Sequence, residues 1–413
     1  MKKSLRTGAL ASIAAAGMLL SACGFGGSGG NAGAGESTIN LLVPSYADGT
    51  KGRWEGIIKD FEAKNPGTKV NLEVQSWDNI NDVVKTKIQG KQAPDILNID
   101  AFAGFAKDQL LYPAKDVLSE STAKDFQDKF AQNASIDGTQ YGLPILASAR
   151  ALFYNKDLFA KAGISAPPKT WAELEADAKK ITDTGTPGYG LPLGAEEAQA
   201  ETGIWFYGAG GGYGDAKKIT VNTPENLEGA NFMKKLVDEK VTQANAGATN
   251  RTPLINVFIQ GQLGMIEALP PTVGQIKEKN PALKYGVAPI PTKDGSPFTL
   301  GVADHLMAFK NDGKKQDAIK KFLDYFYSTD VYPKWVAAEG FLPTTKSGAE
   351  KLASDPDTKP FLDLLPNARF YPSTNKAWTA TQGAVKSLIG QIAQGTDPAA
   401  VLKDIQTKAD AAS

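Results

Sequence analysis

Between residues 38 and 100 the hydrophobic spacing switches repeatedly between a strand pattern and a helix pattern, and that alternation leaves few folds open. TINLLVP at 38–44 is short and almost continuously apolar, as a strand buried on both faces must be. Trp54, Ile57, Ile58 and Phe61 then recur at helical spacing, and NPG at 65–67 closes the run. Val70, Leu72 and Val74 alternate in KVNLEVQ (69–75), a polar helical stretch runs to Gly90, and PDILNID (94–100) reads as a third strand. Further on, Thr170 and Glu173 form a capping box ahead of a face made by Trp171, Leu174, Ala178 and Ile181. Thr223-Pro224 opens another helix, YGVAPIPT (285–292) reads as a strand, and Ala318, Phe322 and Tyr325 belong to one helix. Val385, Leu388, Ile389 and Ile392 share a helix, and the last helix starts at Asp397-Pro398. Such alternation predicts an α/β chain with parallel-core sheets flanked by helices. At 413 residues the chain exceeds one ordinary core, so two domains are expected.

The N-terminus follows other rules. Lys2, Lys3 and Arg6 precede an apolar, small-residue run from Ala9 to Leu20, the layout of a signal peptide and too short to span a bilayer. Leu20-Ser21-Ala22-Cys23 follows, and Cys23 is the only cysteine. This resembles the lipobox of bacterial lipoproteins, which implies cleavage before Cys23 and lipidation of its thiol; a plain secretory signal is the other reading. The run Gly24–Gly35 has nothing to pack and reads as a tether with a reach of about 20 Å. One cysteine excludes disulfides within the chain and a thiolate metal site. Acid and base balance at 45 each and no Lys/Arg run occurs, so nucleic acid is not an expected partner.

Enzyme signatures are missing. His305 is the only histidine, which excludes a histidine-rich metal site. No nucleophile elbow, phosphate loop or dinucleotide fingerprint is present. GAGGGYG (208–214) reads as a tight turn or a close backbone approach. Glu196-Glu197 could serve a glycosidase, but adjacent loop acids are usually solvated. Polar and aromatic residues do recur near predicted strand ends, where parallel α/β sheets bind ligands. Ser45 and Tyr46 follow the first strand, Trp77 and Asp78 the second, and Asn98 and Asp100 close the third. Ser148 and Arg150 lie between YGLPILA and ALFYN, Trp205 lies in ETGIWFYG, and Glu267 ends GMIE. Aromatic faces for C–H surfaces and carboxylates for hydroxyls suit a neutral polyhydroxy ligand.

The stretch 137–182 resembles a hallmark of extracellular solute-binding proteins of the maltose-binding, family 1 type, the receptors of carbohydrate ABC importers. Its marks are Tyr141-Gly142-Leu143-Pro144, Tyr154-Asn155-Lys156-Asp157, Ala162-Gly163 and Pro167-Pro168-Lys169-Thr170-Trp171. APDILNID, QLLYP, GQLGMI, YGVAPIPT and GFLPT support it in family order. The resemblance implies a two-lobed, type II periplasmic-binding-protein-like fold with the ligand cleft between lobes. It implies crossings near Leu146–Ala149, Ala288–Pro291 and Ala338–Phe341. The expected parts are a signal peptide at 1–22, a lipidated Cys23 with linker to 37, one lobe of 38–146 plus 292–339, and another of 147–291 plus 340–413. Asp100 matches a family cleft carboxylate. Ser148 stands where maltose binders carry a hinge-side Glu, and Pro270-Pro271 replaces a Pro-Trp. Around Gln199 and Glu201 the Glu-then-Tyr pattern is absent. Trp378 lies near the place of another cleft Trp, and GVADHLMAF (301–309) makes Asp304 and His305 candidates. The implied function is a membrane-tethered, monomeric receptor that takes a mono- or oligosaccharide to a permease, with no cofactor and no bond chemistry. A binder of a polyol or modified sugar and a surface-anchored glycoside hydrolase are the alternatives.

Overall fold

Two β-sheets organise the chain. The computed structural model describes residues 37–413, so the leader, Cys23 and the glycine-rich stretch lie outside the described residues. In chain order the strands are β1 (Ser37–Pro44), β2 (Thr68–Gln75), β3 (Ile96–Ile99), β4 (Ser135–Ile136), β5 (Thr139–Gln140) and β6 (Leu143–Ala149). They continue with β7 (Ala151–Asn155), β8 (Tyr189–Gly190), β9 (Met265–Ala268), β10 (Tyr285–Ala288), β11 (Thr299–Ala308) and β12 (Ala368–Arg369).

The first sheet runs β12-β11-β3-β1-β2, with β6 also paired to β11. β1 is parallel to β2, from Ser37 opposite Thr68 to Pro44 opposite Gln75, and parallel to β3. β11 joins antiparallel to β3 and β6. Helix Thr50–Lys64 buries Trp54, Ile58 and Phe61 on one face of this sheet. There Trp54 stacks on Phe326 of helix Gln316–Phe326 with ring centres 4.9 Å apart. The second sheet runs β10-β7-β9-β8, and only β8 and β9 are parallel. The expectation of parallel-core sheets thus describes the first sheet, whereas the second is mixed. β7 enters it directly from β6 after the single residue Arg150, with no crossover helix between them. A separate core covers the second sheet's helices, with Trp171, Trp205, Met233 and Trp378 at its centre.

Thr170 accepts from the Glu173 amide at 3.2 Å while the Glu173 carboxylate accepts from Thr170 N at 3.1 Å, the capping box expected. The glycine run at 208–214 is a close backbone approach: a Cβ on Gly212 (φ +141°) would stand 2.4 Å from the Tyr207 ring. Buried Asn226 holds this turn by bonding Gly212 N at 2.8 Å and Gly212 O at 2.7 Å. The strand expected over 285–292 stops at Ala288, because Pro289 and Pro291 have no N–H for a ladder. The helix expected through Ile392 is α-helical to Leu388 and tightens to a 3-10 turn from Ile389.

The chain passes between the two sheets more than once. β6 runs into β7 at Arg150, whose amide bonds Leu300 O. The segment after β10 leads back to β11, and Leu342 exchanges backbone bonds with Ala147. Helix Lys346–Leu352 packs against helix Tyr332–Glu339 and bonds Asp125 through Ser347 Oγ.

Candidate functional site

The C-terminal ends of β1 and β2 face the other lobe across a cleft with two chambers. The inner chamber, about 70 Å³, takes Ser45, Tyr46, Trp77 and Asp304 from the first lobe and Glu196, Glu197, Arg251, Thr252 and Gln275 from the second, with Ser148 at the crossing. The outer chamber, about 640 Å³, lies between helix Ile80–Gln89 and helix Trp378–Leu388. Its lining includes Trp77, Asp78, Phe105, Asp100, Glu197, Gln199 and Gln382. A larger groove of about 1000 Å³ lies at the opposite strand ends, near Asn40, Asp95 and Lys310. That groove belongs to one lobe and sits at the wrong ends of the parallel strands for a ligand crevice.

Polar side chains of the first lobe form a buried chain beneath the cleft. Tyr46 Oη donates to Asp304 Oδ2 at 2.6 Å and lies 3.0 Å from Asn98 Oδ1. Asn98 Nδ2 donates to His305 O at 3.3 Å. Burial, then the neighbouring Asp100, pushes Asp304 up to about 7. Asp100 is raised by burial as well, against the opposing bond from Gln382. Gln382 Nε2 reaches Asp100 Oδ2 at 2.6 Å from the other lobe, so this bond spans the cleft. Lys386 Nζ to Asp78 O (3.2 Å) and Lys107 Nζ to Thr374 O (3.3 Å) span it too.

The second lobe contributes an ion cluster. Fully buried Arg150 approaches Glu201 at 3.1 Å and Glu197 at 3.4 Å. Arg251 pairs with Glu196 at 3.0 Å and with Glu197. Burial raises Glu201 to about 7 and Glu267 to about 8, while burial and Arg150 lower Arg251 to about 10. Carboxyl and guanidinium charges thus largely cancel inside the cluster.

The expected residues divide into three sets. Ser45, Tyr46, Trp77, Ser148 and Asp304 border the inner chamber, and Asp78, Asp100 and Gln199 border the outer one. Asn98, Arg150 and Glu267 are buried behind these walls; Glu267 Oε2 has no hydrogen-bond partner among the described residues. Three residues stand away from both chambers. Trp205 is interior, packed on Trp171 at 5.9 Å and Tyr189 at 5.7 Å, because its helix Ala198–Gly208 is buried nearly all round. Trp378 is stacked on Tyr371 at 4.9 Å under Asp100, so its ring face meets protein and not the cleft. His305 faces the opposite side of β11 from Asp304, as strand neighbours do. Burial lowers it to about 4, and the neutral ring's Nδ1–H donates to Asp100 O at 3.0 Å.

Sequence reasoning missed Glu197, Arg251 and Gln382 and read Glu196-Glu197 as solvated, whereas these acids are half-buried and paired to arginines. A signal existed. The arginines are Arg6, Arg53, Arg150, Arg251 and Arg369 in a chain otherwise supplied with lysine. Buried carboxylate pairing favours the planar guanidinium fork.

A model of bacterial extracellular solute-binding proteins matches residues 46–333, and the chain belongs to that family. A putative binding protein of Brucella abortus is 37% identical over 90% of this chain and 92% of its own length. The diacetylchitobiose binding protein DasA of Streptomyces coelicolor is 26% identical over 98% and 97%. A solved ABC transporter solute binding protein from Thermotoga lettingae, bound with α-D-tagatose, superposes with a TM-score of 0.80 at 25% identity, covering 91% of this chain and 99% of that one. The fold is the two-lobed, type II periplasmic-binding-protein-like α/β fold.

Proposed function

We propose that this chain is the substrate-binding lipoprotein of a carbohydrate ABC importer, holding a neutral mono- or oligosaccharide between its lobes for delivery to a permease. The observation that carries this is the composition of the inner chamber. Tyr46 and Trp77 supply aromatic surface, while Ser148, Glu197, Gln275 and Asp304 supply hydroxyl partners. Its basic side chain, Arg251, is paired with Glu196 and Glu197. A polyol or a modified sugar would meet the same groups. We assign residues 38–146 plus 292–339 to one lobe and 147–291 plus 340–413 to the other, except that residues 292–298 bond Lys169, Trp171 and Gly208 of the second lobe and helix Lys346–Leu352 packs on the first. Attachment through a lipidated Cys23 would hold the receptor at the outer face of the cytoplasmic membrane, where a Cys23→Ser variant should be shed into the medium. Moving the lobes from about 1:99 closed to 99:1 needs roughly 5.5 kcal/mol of preference for the closed state, which contacts from both walls to one sugar can supply.

A thermal-shift panel tests this with α-D-tagatose, maltose, laminaribiose, mannobiose, diacetylchitobiose, sn-glycerol 3-phosphate and a tripeptide. At least one neutral sugar should raise the melting temperature by mass action and be recovered intact by chromatography. A response only to the phosphate or the peptide sinks the sugar reading, and cleavage of the sugar would favour the glycoside hydrolase.

A further inference from the structure

We propose that Glu197 is the specificity-determining contact of the cleft, accepting hydrogen bonds from ring hydroxyls of a sugar stacked on Trp77. This rests on the sugar-binding reading above and names the residue that does the selecting. Glu197 and Trp77 are the residues that border both chambers, one from each lobe. A ligand that reaches from one chamber into the other passes between an indole and a carboxylate. A sugar ring offers C–H face to the first and hydroxyls to the second.

The backbone at Glu197 is unusual for a residue with a side chain. Its φ of 46° and ψ of 39° lie in the left-handed region, at the N-cap of helix Ala198–Gly208, and its side chain makes no cap bond. Most N-caps are extended and bond their own helix. Here that option is given up, and such costs persist where the surrounding structure enforces them. The carboxylate is turned to Arg251 and to Arg150, and both contacts run through Oε2. Oε1 is left to accept from a ligand. Arg251 stands beside it, lining the inner chamber at 5% exposure. Arg150, at the β6–β7 junction, and Arg251 therefore act as positioning residues for Glu197. They hold one carboxylate oxygen and leave the other aimed by a rigid frame.

The test is calorimetry with the panel sugar that binds the wild-type protein tightest, together with its monodeoxy analogues. Glu197→Gln should keep its ligand-free melting temperature within a few degrees and bind that sugar about 10-fold or more weakly, as expected for loss of a charged acceptor. The deoxy analogue that costs the wild type most should cost Glu197→Gln less than about twofold, since the hydroxyl's partner is already gone. Glu197→Asp, which keeps the charge, serves if the amide variant does not fold, and should change the ranking of the analogues. Wild-type affinity in Glu197→Gln, or an unchanged ranking across the analogues, overturns the proposal. If Trp77→Ala weakens sugar binding and Glu197→Gln does not, the sugar reading stands and the role of Glu197 falls. If no sugar of the panel binds the wild type, both fall together.

Discussion

Asp304, Glu201 and Glu267 are carboxyls placed where a charge is poorly solvated. Burial lifts the first two to about 7 and the third to about 8. The folded chain therefore holds these protons more tightly than the unfolded chain, whose carboxyls titrate near about 4. The stabilisation is complete below about pH 4 and is lost as pH rises through 7 to 8. The melting temperature should fall between pH 5.5 and pH 8.5 (roughly the window set by these shifts), and Glu267→Gln should flatten the upper part of that fall. A melting temperature that rises steadily across this range would contradict the assignment. Asp304→Asn should flatten the lower part while keeping a partner for Tyr46. At this scale the sequence was a partial guide. Asp100, Ser148 and Trp77 border the two chambers, but Trp205 and Trp378 are interior. An indole reads the same in a sequence whether its face meets a sugar or another ring.

Local elements were the most legible part. The helix at 171–182 begins where Thr170 and Glu173 place it, because a capping box satisfies its own backbone groups without help from distant residues. Thr170→Ala should cost about 1 kcal/mol, seen as a lower urea midpoint with an unchanged slope. The glycine turn should be less forgiving. Gly212→Ala meets both a left-handed φ and the Tyr207 ring, so it should lower stability by more than the capping variant, read in the same titration. What the local pattern did not show was β11. Its residues Thr299–Ala308 are all buried, yet they include Asp304 and His305, which masked the strand. Asp304 bonds Tyr46 and His305 Nδ1 bonds the Asp100 carbonyl, groups about 200 or more residues away in the chain, so no local spacing could predict their burial.

Across the whole molecule, side-chain bonds beside the chambers link one cleft wall to the other. Gln382 to Asp100, Lys386 to Asp78 O and Lys107 to Thr374 O tie the cleft shut beside the chambers. Gln382→Ala should shift the ligand-free protein toward a larger radius of gyration in small-angle scattering while leaving each lobe folded. It should weaken ligand binding if closure is the binding-competent state. An unchanged radius would show that these bonds do not hold the lobes together. The alternating pattern, the caps and the family-like motifs were written in the chain, since each depends on neighbours within a few residues. The split into two sheets joined at Arg150, the pairing of Glu197 with Arg251 and the meeting of Glu197 with Trp77 were decided only when distant segments packed. Burial, charge pairing and the facing of side chains are properties of what lies opposite, and a linear pattern records only what lies next.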